Sequence, residues 1–328
     1  MTRGSGSARG ADHARRTGTL LQERDLEMLR SLADARLLTA EALEWLHFGS
    51  WRTRYRRCME QQRGSNATRY QASSNLYRRL RGLCDGHYIQ RVTRMVATAS
   101  TMFYRVPDAY ALTAVGAELL ATRCGVDVAA SIAPHKRAIQ NLDHAIAIGR
   151  LYAALRAELE YRGLRLTEWQ GDHRLARNAY DRIAIVGLRE PLPILPDATF
   201  VLDSIRYFVE IDRGTRPLRS WTDKVRAYAA YQQSALLSAR YQVAQFRVLI
   251  VAPTPVRLLR IAEEVATVMR QPPTEYLFVC AEHVHPTTIR RGWQRIAVID
   301  WTPRRVVDRM VEAATVTLAP HALWEHNT

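Results

Sequence analysis

Lysine is nearly absent from this 328-residue sequence: of its 47 lysines and arginines, only Lys136 and Lys224 are lysine. The bias is that of a GC-rich coding sequence, so a position that keeps lysine carries information. Cysteine is scarce too. Cys58, Cys84, Cys124 and Cys280 share no Cys-x-x-Cys spacing, which argues against a zinc site or a disulfide framework and for a reducing, cytoplasmic setting. No run approaches the roughly 20 apolar residues that span a bilayer, so no membrane partner is expected. Residues 1–18 are rich in Gly, Ser and Arg without an apolar centre and read as a disordered basic arm, not a signal peptide. Phosphate loops of the Gly-x-x-x-x-Gly-Lys type and Gly-x-Gly-x-x-Gly turns are missing, as is a Ser/His/Asp hydrolase elbow. ATP, dinucleotide and acyl-transfer chemistry are left without support.

Positive charge is what the chain has in excess. A formal net charge of +15 points to a polyanionic partner. The excess is uneven, since residues 1–117 hold 19 basic against 10 acidic residues. Between Arg52 and Arg94 stand eleven arginines and only two acids, Glu60 and Asp85. An ordinary solvated face mixes signs, so this stretch looks like a surface for DNA. The length, with 47% hydrophobic residues, predicts two domains with cores of their own.

The N-terminal part reads as helices followed by a hairpin. Leu21, Leu26, Leu29 and Leu32 recur at helical spacing over Leu20 to Ala35, and Thr39 is a candidate N-cap for a helix over Ala40 to Phe48. The arginine-dense stretch Trp51 to Tyr70 follows. A third helix, about Ser73 to Cys84, sets Leu76, Leu80 and Leu83 on one face, and Gly86 stops it. Tyr88 to Val92 and Phe103 to Leu112 then read as two strands of a wing. Residues 19–120 are thus predicted to form a winged helix-turn-helix. Its third helix would enter the major groove of double-stranded DNA, with Ser73, Ser74 and Asn75 at base edges and Arg69, Arg78, Arg79, Arg81 and Arg94 on phosphates. A long amphipathic helix over residues 134–162, with Ile139, Leu142, Ile146, Leu151, Leu155 and Leu159, is expected to bridge to the second domain and to support a homodimer.

Residues 163–328 are predicted as a mixed α/β sheet domain, making the whole chain α+β. Leu164 to Trp169 reads as a strand carrying Glu168, and Asn178 to Leu188 as a further hairpin. Ala198 to Leu202 and Tyr207 to Ile211 flank Asp203-Ser204 as a β-hairpin. A helix over Leu218 to Ser238, a strand over Phe246 to Val251, a helix over Val256 to Met269 and strands at Tyr276 to Cys280 and Ile296 to Ile299 follow. Pro303 to Thr315 is predicted as a last helix.

The central hairpin carries the chemistry. Strand side chains alternate, so Glu210 and Asp212 share a face, while Asp197 enters at the head of the partner strand. Carboxylates converging at a sheet end suit a hard divalent cation bound through oxygens, which would polarise a phosphodiester and activate water. Lys224, on the next helix, offers a compact ammonium whose pKa answers to neighbouring carboxylates, as a guanidinium's does not.

Pro196-Asp197 before one strand and Glu210-x-Asp212 on the next resemble the PD-(D/E)XK nuclease superfamily. The wider arrangement resembles the replication-relaxation family of plasmids, phages and conjugative elements. The carrying residues are Leu21-x-x-Arg24-Asp25, Leu37-Leu38-Thr39, Tyr110-Ala111-Leu112-Thr113-x-x-Gly116, His135 with Asn141, and Leu195-Pro196-Asp197. They continue through Phe208 to Thr215, then Lys224 and Tyr228. The resemblance implies a restriction-endonuclease-like domain in which Asp197 and Glu210 bind Mg²⁺ or Mn²⁺, with Glu168 a further acid. It implies DNA nicking in mobile-element replication, with relaxase, replication or conjugation proteins as partners. The sequence departs from the superfamily at Asp212, which stands where lysine is expected, so Lys224 would supply the ammonium. Three alternatives stand beside this reading. One is a non-catalytic DNA-binding initiator accessory or repressor, and another an assembly factor for a relaxase or coupling ATPase. The third is a tyrosine-nucleophile enzyme, in which His283 and His285 hold the metal and Tyr228 or Tyr231 attacks.

Overall fold

The computed structural model describes residues 20–61, 72–92, 95–97, 103–105, 108–125, 142–177, 180–269, 276–306 and 309–321. The expected basic arm, Arg69, Arg94, His135 and Asn141 lie outside the described residues. The chain divides into two compact units, Met1–Ala157 and Glu158–Thr328, and the whole is α+β.

In the first unit, α1 (Glu23–Ala35), α2 (Ala40–His47), α3 (Trp51–Gln61) and α4 (Ser74–Asp85) accompany a three-stranded antiparallel sheet whose first strand lies between α1 and α2. Its order is β1 (Leu38–Thr39), β5 (Ala109–Leu112), β2 (Ile89–Val92). Between β2 and β5, β3 (Met95–Ala97) pairs with β4 (Phe103–Arg105), so the expected wing is two short ladders in place of two long strands. Leu76, Leu80 and Leu83 are buried on α4 as their spacing requires. Thr39 caps α2 by accepting from Ala42 N–H at 3.2 Å, and Ser73 caps α4 by accepting from Leu76 N–H at 3.3 Å.

Two buried acids fasten these helices. Asp25 on α1 accepts from Gln22 N–H at 2.6 Å and from both arms of the Arg79 guanidinium. Glu44 on α2 accepts from Ser73 N–H at 2.7 Å and pairs with Arg54 of α3. Both carboxylates are fully buried, where an unpaired charge costs several kcal/mol. Thr113 caps α5 (Ala114–Cys124) by accepting from Gly116 N–H at 3.1 Å, while its hydroxyl donates to His87 O at 2.5 Å. A Cβ at Gly116 would fall 2.1 Å from Tyr88 O, so only glycine lets α5 start this close to β2.

Among the described residues the long helix α6 runs Leu142–Tyr161, and the division between units falls within it. Leu142, Leu151, Leu155 and Leu159 are each at most 1% exposed, as their helical spacing requires. At Gly149 a Cβ would lie 2.0 Å from Leu37 O, which sets how near the helix comes to β1.

The second unit is built on a seven-stranded sheet ordered β14-β13-β12-β11-β10-β9-β6. Its strands are β6 (Thr167–Gly171), β9 (Ala198–Leu202), β10 (Ile205–Ile211), β11 (Phe246–Ala252), β12 (Tyr276–Cys280), β13 (Gln294–Val306) and β14 (Arg309–Pro320). Only β10–β11 and β11–β12 are parallel. The short pair β7 (Arg182–Ile183) and β8 (Leu192–Pro193) replaces the expected hairpin over 178–188. The helix expected over 218–238 is two helices, α8 (Arg219–Gln232) and α9 (Ala235–Tyr241), after the short α7 (Asp172–Leu175). With α10 (Pro255–Met269), α8 covers one sheet face, packing Trp221, Val225, Tyr228, Tyr231, Ile261 and Val265 onto Phe208, Val248, Ile250 and Phe278.

The last predicted helix is a strand. Residues 303–306 and 309–315 belong to an antiparallel ladder that runs from Gln294 with Pro320 to Val306 with Arg309, with a register shift between Ile296 and Val298. Val306, Met310, Val311 and Ala314 mimic helical spacing, but the β-branched Val311, Thr315, Val316 and Thr317 favour the pleated ladder that β13 offers.

Candidate active site

The site forms where β10 leaves the sheet. Ala198 pairs with Val209 at the head of β9. One residue outward, Asp197 donates its N–H to Val209 O at 2.9 Å, and its Oδ2 accepts from Ile211 N–H at 2.7 Å. These two bonds bracket Glu210, so the two acids sit side by side as the strand pattern predicts. Glu210 is 2% exposed. Its Oε2 pairs with Lys224 Nζ, and its Oε1 accepts from the Tyr228 hydroxyl. Trp221, Lys224 and Tyr228 recur at three- and four-residue spacing along α8, which turns all three to the sheet. The ammonium also lies 5.7 Å from the Trp221 ring centroid.

The electrostatics follow from burial and proximity. Burial raises the Glu210 carboxyl above its ordinary range, and the Asp197 charge acts in the same sense against the pull of Lys224 and Tyr228. Burial opposes the Lys224 ammonium, yet Glu210 and Asp197 outweigh it and hold the group charged above its usual range. Burial, then Glu210, push the Tyr228 phenol well up. At neutral pH the centre holds a protonated amine and a neutral phenol against two acids.

The other predicted residues lie elsewhere or serve other partners. Asp212 follows β10 and is held by Arg257 of α10, with Nε to Oδ2 at 2.5 Å, and it accepts from Gly214 N–H at 3.2 Å. Sequence reasoning missed Arg257; one arginine in so arginine-rich a chain carries no signal. Glu168 pairs with Arg206, four residues before Glu210 on β10 and so about 13 Å down the strand. It is not brought to Asp197 and Glu210. Of the residues predicted for DNA, Ser74, Asn75, Arg78 and Arg81 form one exposed stripe of α4. Ser73 and Arg79 are engaged inside the fold as the α4 cap and the Asp25 partner.

The tyrosine alternative loses its parts. Tyr228 and Tyr231 are buried, and the Tyr231 hydroxyl donates to Asp181 at 2.5 Å. His283 ends a 3₁₀ turn and is exposed, whereas His285 is buried with Nδ1 2.8 Å from Thr287 Oγ1. The two imidazoles therefore do not line one strand face. Among the described residues no three His, Cys, Asp or Glu side chains are arranged to hold a metal ion. Asp197 and Glu210 are two hard oxygen donors, the number that suffices for Mg²⁺ when phosphate oxygens and waters complete its shell. On donor chemistry these two residues fit such an ion.

A family model described as Replication-relaxation matches residues 29–245, well over half of the chain. The chain belongs to the replication-relaxation family. No curated protein and no solved structure matches it. The match runs from the second half of α1 through α9, and takes in Asp197, Glu210, Lys224 and Tyr228, while Arg257 and the strands from β11 onward fall outside it. Membership in the replication-relaxation family ties the chain to mobile-element replication and its machinery. No helix among the described residues is long and apolar enough to cross a membrane.

Proposed function

We propose that this replication-relaxation protein binds double-stranded DNA of a mobile element and nicks it at a divalent-ion centre made by Asp197, Glu210 and Lys224. The observation that carries the reading is the meeting of two carboxylates from adjacent strands with one of the chain's two lysines, delivered from a helix. Asp197 and Glu210 would hold Mg²⁺ or Mn²⁺, which when bound polarises a phosphodiester and lowers the pKa of a water ligand. Lys224 supplies fixed positive charge where a phosphoryl oxygen gains negative charge. Tyr228 holds one Glu210 oxygen in place, and the Trp221 ring lies against the ammonium.

For the first unit, the order of helices, the capped α4 and the pairing of β2 with β5 support the winged-helix reading. The exposed stripe of α4, Ser74, Asn75, Arg78 and Arg81, is the surface we assign to the major groove. The closure of both Glu210 oxygens by Lys224 and Tyr228 favours a second reading, a DNA-binding accessory that keeps the nuclease frame without turnover.

Supercoiled plasmid incubated with the protein and Mg²⁺ or Mn²⁺ separates the two. Nicking is expected to give open circles, with Asp197→Asn and Glu210→Gln each reducing the rate by at least about 10²-fold while leaving DNA affinity in place. Plasmid that stays supercoiled under both metals leaves the accessory.

A further inference from the structure

The segment between β10 and α8 is held at several points, and its arginines have no role in the proposed nicking centre. Arg213, Arg216 and Arg219 are all exposed there, and no acid stands between Asp212 and Asp223. The loop is pinned at several points. Asp212 Oδ1 accepts from Gly214 N–H at 3.2 Å, Arg257 donates to Arg216 O at 2.7 Å, and Ser220 Oγ donates to Pro217 O at 2.8 Å. Gly214 has φ +72°, a left-handed turn that suits glycine, and a Cβ there would touch Pro253. Arg257 spans the turn, holding Asp212 with Nε while reaching Arg216 O with its far nitrogen. A guanidinium fork can make both bonds at once, and a lysine cannot.

The loop is also close to the centre. It leaves β10 directly after Glu210 and Ile211 and returns as the first turn of α8, the helix that carries Lys224 onto Glu210, so both of its ends lie at the centre. Holding three arginines together beside the Lys224 ammonium, with no acid among them, is unfavourable unless an anion is to be met there. We propose that residues 213–219 form a strap that docks the phosphate backbone of DNA beside Asp197, Glu210 and Lys224. In it Asp212 and Arg257 are positioning residues that set the shape of the strap and take no part in holding an ion. This rests on the nicking centre for its location but makes a separate demand: the strap contributes to DNA affinity whether or not cleavage occurs.

The test measures binding of the full chain to duplex DNA without divalent ions, at several salt concentrations. Each phosphate contact adds about 0.9 to the slope of log affinity on log salt. Arg213→Ala, Arg216→Ala and Arg219→Ala combined should lower the slope by about 2–3 and weaken binding at least about 10-fold. The triple lysine replacement, which keeps the charge, should retain most of both. A triple alanine variant with the slope and affinity of the parent overturns the strap, even if nicking and its loss in Asp197→Asn and Glu210→Gln are confirmed. An altered slope in a protein that never nicks supports the strap and rejects the cleavage reading. Asp212→Asn separates the two roles of that acid. As a positioning residue it should raise the DNA concentration for half-maximal nicking several-fold with the parental metal dependence. A shift in metal dependence would return it to the ion site.

Discussion

Glu210 is a buried acid with a partner on each oxygen, and removing those partners singly measures what they contribute. Lys224→Met leaves the carboxylate without its counter-charge. Removing one partner of a fully buried pair costs about 3–5 kcal/mol, and the 30% exposure of the Lys224 side chain lowers the expectation to about 2–3 kcal/mol in urea unfolding. Adding Glu210→Gln should restore most of that loss, since the neutral amide needs no ammonium. A double variant as unstable as Lys224→Met alone would mean the lysine acts through packing on Trp221. The pH dependence has a definite sign. Lys224 has a folded-state pKa above its ordinary value, so its stabilisation is complete below that ordinary value and is lost as pH rises through the folded one. Glu210 is raised as well, so rising pH ionises a buried acid, and any divalent ion competes with its proton and binds better as pH increases. Lys224 was legible in the sequence because lysine is so rare here, and Asp197 and Glu210 because strand parity sets them on one face. Parity does not give position along a strand, which is why Glu168 looked like a third ligand although Arg206 claims it at the far end of β10.

α4 shows how one element divides its arginines between fold and surface. Arg79 is locked to the buried Asp25 and also donates to Leu20 O at 2.7 Å. Hydrogen bonding to Asp25 holds its guanidinium more firmly charged than usual, although burial opposes this. Arg78 and Arg81 stand in solvent, Arg78 reaching only its helix neighbour Asn75 at 3.1 Å. Arg79→Ala should therefore cost about 3 kcal/mol in urea unfolding, because Asp25 is left buried and unpaired. Arg78→Ala with Arg81→Ala should shift stability by less than about 0.5 kcal/mol yet reduce the salt slope of DNA binding by about 2. The opposite pattern, with Arg79 governing affinity and the exposed pair governing stability, would overturn the assignment of this face. The helices α1, α2 and α4 of the first unit and the strands β9 to β12 were readable from periodicity, because each buries one face and is bounded by turn residues, whereas α3 in the arginine-dense stretch and α5 after the wing were not foreseen. β14 was not, because its apolar residues fit both periods and only its pairing with β13 decides between them. The alternation of buried and exposed residues on α4 was legible, but nothing local marks which exposed arginine meets a distant acid.

Across the molecule, the charge excess is partly an internal matter. Arg54 and Arg79 neutralise buried acids, and Arg156 joins α6 to α1 through a polar chain. In that chain the Arg156 guanidinium donates to Ser31 Oγ at 3.0 Å and to Tyr152 OH at 2.8 Å, and Tyr152 OH donates to Asp34 Oδ2 at 3.2 Å. His47 Nε2 lies 3.0 Å from the same Ser31 Oγ. Burial, then the charges of Arg156 and Arg24, push the His47 imidazole down to about 3. The imidazole is neutral in the folded chain and titrates normally when unfolded. Between about pH 6.5 and pH 3 the unfolded chain therefore binds the extra proton. Stability from this site is whole above the unfolded value and is lost as pH falls, by about 1–2 kcal/mol at pH 5. Composition shows that the chain is basic, but a histidine facing arginines from two other segments becomes visible only when α1, α2 and α6 are assembled. Thermal unfolding of the full chain at pH 7.5 and pH 5 checks the account. The wild type is expected to lose several degrees of Tm on acidification, and His47→Gln, which keeps a hydrogen-bonding group toward Ser31 but cannot take up a proton, is expected to lose measurably less. Equal losses in the two proteins would move the origin of the acid sensitivity away from the contact between α1, α2 and α6.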